Sequence, residues 1–189
     1  MDFLNWRNLV AVLLGAVVAG FIIAAYQLYE NKKREEIAEK LYKVELLIRK
    51  GDTAKAEKLL KEVPQPSASY GYLLLGDYYA EKGNPERAIA NYKNAERGLK
   101  ERDKTLYFYT VEKVGYLLYK RGEYKKSLGV LSSIPSNTPN SCSVNLLIAE
   151  DYTALGQKDK AKPILENLAT NCMDPDISYT AKYILATEF

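Results

Sequence analysis

Apolar positions along this chain follow two regimes. From Asn8 to Tyr29 no side chain is charged, and Leu9 to Tyr26 is apolar throughout. Beyond that stretch the chain is polar overall, with apolar residues returning at spacings of three and four, the period of a helix with one buried face. Four times in this second part a glycine is followed five residues later by a small residue: Gly51/Ala56, Gly83/Ala88, Gly122/Ser127 and Gly156/Ala161. The glycines are 32, 39 and 34 residues apart. A period near 34 is the mark of stacked helical hairpins.

One unit shows the physics. Tyr72, Leu75, Gly76, Tyr79, Gly83, Ala88, Tyr92 and Ala95 fall at positions 4, 7, 8, 11, 15, 20, 24 and 27 of a 34-residue repeat. Spacings of three and four place Tyr72, Leu75, Gly76 and Tyr79 on one face of a first helix, and Ala88, Tyr92 and Ala95 on the matching face of a second. Gly76 and Ala88 are small where two backbones must approach, with Tyr79 and Tyr92 filling the space beside them. Gly83 predicts a left-handed turn ending the first helix, and Asn84-Pro85 a cap and first position for the next.

These positions resemble the tetratricopeptide repeat (TPR). The third unit keeps Val114, Gly115, Leu118, Gly122, Ser127, Leu131 and Pro139; the fourth keeps Ile148, Ala149, Tyr152, Gly156, Ala161, Leu165 and Leu168. The first is degenerate, with Lys40 and Lys43 where apolar residues belong, as terminal repeats often are. The expectation is an all-α chain: a single N-terminal transmembrane helix, then a right-handed TPR-like α-solenoid of about four hairpins and a C-terminal capping helix. The expected divisions are a tail at 1–7, the membrane helix at 8–29 and the solenoid at 30–189. Its hairpins are expected near 36–66, 69–102, 108–139 and 142–172, with the cap at 177–188 and Asp176 as that helix's N-cap. Pro163 is expected in a first helical turn, where no backbone donor is needed.

The apolar stretch has two readings. A helix of its 22 residues reaches about 33 Å, enough to cross a hydrocarbon core of roughly 30 Å. Trp6 at one end and Tyr26 and Tyr29 at the other suit the two interfaces. A cleaved signal peptide would have a shorter apolar run, a more basic start and a small-x-small site; Arg7 is the only basic side chain before the stretch, which favours a retained anchor. Within it Ala11, Gly15 and Ala19 recur every four residues, as do Ala16, Gly20 and Ala24, a spacing that lets membrane helices pack closely.

Composition narrows the chemistry. The 27 basic and 24 acidic residues are mixed along the helices, and a net charge of +3 gives no case for nucleic acid as a partner. There is no histidine, so the commonest general base and metal ligand is missing, and no Gly-rich phosphate loop occurs. No catalytic, metal-binding or cofactor-binding constellation is visible, and an enzyme is not expected. Abundant lysine and glutamate beside only Gln27, Gln65 and Gln157 lean toward a heat-adapted source.

Cys142 and Cys172 fall at positions 1 and 31 of the last repeat, where antiparallel helices bring their ends together. A disulfide there would staple the hairpin shut; two separate thiols used as small apolar side chains are the alternative. The pair bears on topology, where the cues conflict. Lys32, Lys33 and Arg34 after the anchor favour a cytoplasmic repeat domain by the positive-inside rule, whereas a disulfide favours an oxidising compartment.

The layout as a whole resembles the ancillary subunit of the bacterial SecYEG translocon (YfgM-type). That resemblance implies a single-pass inner-membrane protein with a periplasmic TPR domain, a chaperone-like accessory that assists exported proteins as they leave the translocon. The basic flank departs from that orientation and suits the alternative, a cytoplasm-facing TPR adaptor that scaffolds an envelope-biogenesis complex. In either case TPR arrays hold proteins or extended peptide segments in a concave groove, at repeat positions 2, 5, 9, 12 and 13. The groove residues expected on that register are Tyr70, Leu73, Asp77, Tyr109, Glu112, Tyr116, Tyr119, Leu146 and Glu150, with Ala80, Glu81, Lys120, Ser143, Thr153 and Ala154 beside them. Aromatic rings among carboxylates suit apolar or mildly basic segments.

Overall fold

The computed structural model describes residues 6–189, so most of the tail expected at 1–7 lies outside the described residues. The described chain is all-helical: α1 (Trp6–Arg49), α2 (Thr53–Leu60), α3 (Ala68–Glu81), α4 (Pro85–Arg102), α5 (Lys104–Lys120), α6 (Tyr124–Leu131), α7 (Ser141–Ala154), α8 (Lys158–Asn171) and α9 (Pro175–Glu188). The 44 residues of α1 run without a break, about 66 Å at 1.5 Å per residue. Its apolar part is exposed on every side, with Val12, Phe21 and Leu28 each at least 70% accessible. Its C-terminal part packs on α2 and α3 through Val44 and Ile48. Nothing marks the expected division at 29/30: one helix is both the apolar span and the first helix of the first hairpin.

Each hairpin closes in the same way. Gly51, Gly83, Gly122 and Gly156 have φ of 78°, 69°, 75° and 72°, the left-handed region that glycine adopts without a steric penalty. In each case the residue after the glycine donates its amide back across the turn, Asn84 to the carbonyl of Tyr79 at 2.8 Å and Gln157 to that of Tyr152 at 2.8 Å. These are Schellman closures, which satisfy carbonyls the helix end would otherwise leave bare. After Gly83 the next helix starts on a side-chain cap: Asn84 accepts from the Arg87 amide at 3.1 Å, with Pro85 in the first helical position.

Two expectations about helix starts are corrected. The N-cap of α9 is Asp174, whose carboxylate accepts from the amides of Asp176 and Ile177; Asp176 lies inside the first turn, because Pro175 takes the first helical position. Pro163 is the sixth residue of α8, past the turn that has no internal partners. Its missing amide frees the carbonyl of Asp159, and because both residues are exposed, water can take the place of the lost bond.

The core runs the length of the array in three linked clusters: α1 to α5, then α5 to α7, then α7 to α9. Close approach sets its spacing. A Cβ on Gly76 would strike the Tyr92 ring, one on Gly115 would strike Leu131, and one on Gly71 would strike Leu60. The longest interval between turns is absorbed by α4 and α5, of 18 and 17 residues, which meet at Asp103. The last hairpin is tied by Cys142 and Cys172, which the structure pairs with Cα atoms 6.0 Å apart across 30 residues of sequence. Closing a loop of that length stabilises a domain by about 3 kcal/mol in the chain-entropy account.

The two roles of glycine separate by mutation. Gly83→Ala has open space around the new methyl, so it strains only the backbone and costs about 1 kcal/mol. Gly76→Ala must displace a buried tyrosine and costs about 1–3 kcal/mol. Urea unfolding of the two variants in nonionic detergent, followed by circular dichroism, is expected to rank them in that order.

Candidate groove on the first-helix face

Two recesses lie side by side along the first helices, built in the same register. The first, of about 450 Å³, sits between α1 and α3 and includes Glu45, Ile48 and Arg49 from one helix and Leu74, Asp77 and Tyr78 from the next. The second, of about 380 Å³, sits between α3 and α5 and takes Asp77, Ala80 and Glu81 from one, and Lys113, Tyr116 and Leu117 from the next, with the Tyr92 ring of α4 at its base. Counted within the repeat, each recess uses positions 9, 12 and 13 of one hairpin and 6, 9 and 10 of the following one. Asp77 and Glu81 line both, so the two form one groove.

The charges in this groove are largely spoken for. Asp77 Oδ1 accepts from the Tyr92 hydroxyl at 2.6 Å and from Lys113 Nζ at 2.5 Å, which joins α3, α4 and α5 at one carboxylate. Burial raises the Tyr92 phenol well above the ordinary tyrosine range, and its hydrogen bond to the Asp77 carboxylate, with the negative charges of Asp77 and Glu81, pushes the same way. Arg49 pairs with Glu45 at 2.7 Å within α1. Glu81 is exposed and forms no ion pair among the described residues. The apolar surface between these charges is Leu74, 40% exposed, and Tyr116, 46% exposed.

Of the residues expected in the groove, Asp77, Ala80, Glu81 and Tyr116 meet in it. Tyr109 is 40% exposed on α5, away from both recesses. Leu73 packs against the first core cluster and Leu146 against the last, and Tyr70 is half-buried outside the recesses. Glu112 accepts from the Asn140 side chain at 2.6 Å, fastening α5 to the loop before α7. Leu74, Tyr78, Lys113 and Leu117 were not expected. The signal for them was present: positions 6 and 10 carry a large side chain in both hairpins, which an alignment of the repeats on their glycines brings out. In the apolar part of α1, Gly15 and Gly20 lie on exposed surface with nothing among the described residues near a would-be Cβ, and Ala19 is exposed between them.

The same register continues to α7, where position 10 is Asp151. Its side chain is fully buried at 0% exposure, and neither carboxylate oxygen has a hydrogen-bond partner among the described residues. The nearby Ser127 hydroxyl, which would stabilise the charge, is held by the Gly115 carbonyl at 3.0 Å. Burial therefore dominates and pushes the Asp151 carboxyl up to about 6, with Ser127 pulling slightly the other way. Beside it burial also raises Glu150, helped by the Asp151 charge and opposed by Lys120. Tyr119, packed on Tyr124 with ring centroids 5.7 Å apart, is raised by burial and then by Glu150.

Comparison with solved structures identifies the architecture. The fold matches two crystal structures of a Podosopora anserina protein, described as a kinesin light chain with nearly identical TPR-like repeats, one of them a single-substitution variant. Each is 15% identical to this chain over 80% of its length and 84% of theirs, with TM-scores of 0.54 and 0.55. The chain is a TPR-like α-solenoid. At this identity the likeness is one of fold alone. No family model matches the sequence, and no curated protein matches it.

The buried carboxyl predicts an unusual pH response. An acid whose folded pKa lies above its unfolded value binds more protons when folded, so stability is greatest below the unfolded value near 4 and falls as pH rises through about 6. The Asp151 contribution is expected to fall by on the order of 2 kcal/mol across that window. Urea midpoints measured at pH 4.5 and 7.5 are expected to show Asp151→Asn gaining on the wild type at the higher pH; an unchanged difference would contradict this.

Proposed function

We infer that this chain is a membrane-tethered holder of extended polypeptide segments. The observation that carries this reading is the groove: two recesses in identical register, each apolar at Leu74 or Tyr116, sharing the exposed carboxylate Glu81, which forms no ion pair among the described residues. A segment lying along it would place apolar side chains in successive recesses and a basic side chain against Glu81. TPR-like arrays generally bind protein partners, and half-exposed tyrosine gives contact area at little entropic cost. No nucleic acid, metal or cofactor is invoked.

The apolar part of α1 is long enough to span a bilayer, and its all-round exposure suits lipid. In a single-pass arrangement the groove stands at a fixed height above the membrane, because the same helix is anchor and first repeat. The pairing of Cys142 with Cys172 favours an oxidising, extracytoplasmic compartment. Together these features suit an accessory, chaperone-like role in protein export at the bacterial inner membrane, with emerging chains at the translocon as the held segments. The basic run Lys32-Lys33-Arg34 favours the second reading, a cytoplasm-facing adaptor for an envelope-assembly complex.

Two measurements test this. On an array of extended peptides, Tyr116→Ala is expected to weaken binding about tenfold and Glu81→Gln to weaken selectively those peptides with a basic residue, with circular dichroism unchanged. Binding at wild-type strength by both variants would remove the groove assignment. A compartment-sensitive reporter fused after Phe189 is expected to report an extracytoplasmic domain; a cytoplasmic signal would select the adaptor instead.

A further inference from the structure

The end of the solenoid that faces the apolar helix carries a second cleft, unrelated to the groove. It has a volume of about 660 Å³ and is lined by Lys33 and Arg34 of α1, Pro66 and Ser67 of the loop before α3, and Arg102 at the end of α4, with Glu30 at its lower edge. The fold brings Arg102 here from far along the sequence. Because hairpins reverse direction at each turn, the α2–α3 loop and the α4–α5 junction both return to the end from which α1 enters. Lys33, Arg34 and Arg102 form no ion pair among the described residues. Three cations against one carboxylate leave this cleft strongly positive.

We propose that this cleft binds the phosphate of an anionic phospholipid headgroup. The argument rests on α1 being a membrane anchor, as read above. Tyr29 then marks the interface, and Lys33 lies one turn further, about 6 Å along the axis, at headgroup depth. Arg34 and Glu30 also line a smaller hollow with Tyr26 one turn closer to the bilayer, so the cleft opens toward the lipid without a barrier of folded chain. Guanidinium groups at Arg34 and Arg102 offer forked donors to phosphate oxygens, and the Ser67 hydroxyl adds a neutral donor. A lipid bound here bridges α1 to the second hairpin and fixes the solenoid against the membrane surface. It also gives the basic flank a role that does not depend on which side of the membrane the solenoid occupies.

The test uses the full chain reconstituted with an equimolar mixture of phosphatidylglycerol and phosphatidylcholine, followed by native mass spectrometry of the lipids it retains. The wild type is expected to retain phosphatidylglycerol in preference, and Arg102→Gln, an exposed position far in sequence from the anchor, to lower that preference about fivefold. Lys33→Gln with Arg34→Gln is expected to lower it further, and Lys125→Gln, at the opposite end of the hairpins, to leave it unchanged. Equal retention of both lipids by the wild type, or an unchanged preference in Arg102→Gln, overturns the proposal. Thermal stabilisation by inorganic phosphate in neutral detergent, lost in Arg102→Gln, in a chain showing no lipid preference would assign the cleft to free phosphate instead and overturn the lipid assignment. Flotation with phosphatidylcholine vesicles separates the underlying reading: a chain that fails to float is not anchored, and this site falls with the anchor.

Discussion

Close approach of helix backbones is the constraint on which the rest of this molecule depends. Gly76 lies directly beneath the Tyr92 ring and Gly115 against Leu131, with no room for a methyl in either place. That proximity sets the distance between the two helices of a hairpin, and hence where the following first helix can sit. Only at that spacing does the Tyr92 hydroxyl reach Asp77 while Lys113 reaches the same carboxylate from the next hairpin. The groove is the outward consequence: recesses in constant register exist because the hairpins stack at constant spacing.

The second organising fact is that the apolar helix and the solenoid share one uninterrupted α1. A flexible linker would let the array sample many orientations. A helix does not, so the glycine turns all lie at the end away from the apolar part of α1, and the loops at 61–67 and 132–140 return toward it. The disulfide at the end of the last hairpin lies on that returning side, as does the cationic cleft. Groove, staple and basic cleft are thereby placed by a single helix axis.

Much of this was legible in the sequence, and the boundary of legibility has physical causes. The left-handed turns, the second-repeat face and the pairing position of the two cysteines are encoded within one hairpin, where period and residue size speak directly. What escaped is what depends on neighbours. Asp77 reads as a groove carboxylate, yet it is half committed to Lys113; Glu112 reads the same way, yet Asn140 holds it. Asp151 reads as an ordinary helical acid, and only the packing of α5 and α6 around α7 buries it without a partner. Pro163 lies just past the first turn, as the sixth residue of a helix that starts at Lys158 on the Gln157 turn. Arg102 beside Lys33 is a property of the reversal of successive helices, which no local pattern carries.

The claim that the groove holds extended polypeptide is tested most directly by crosslinking in native membranes. A photoreactive amino acid is placed at Tyr116, in the second recess, and in parallel at Lys93, exposed on α4 outside both recesses. The account predicts light-dependent adducts with polypeptides in transit at Tyr116 and few or none at Lys93. Equal labelling at the two positions, or no polypeptide captured at Tyr116, would contradict it.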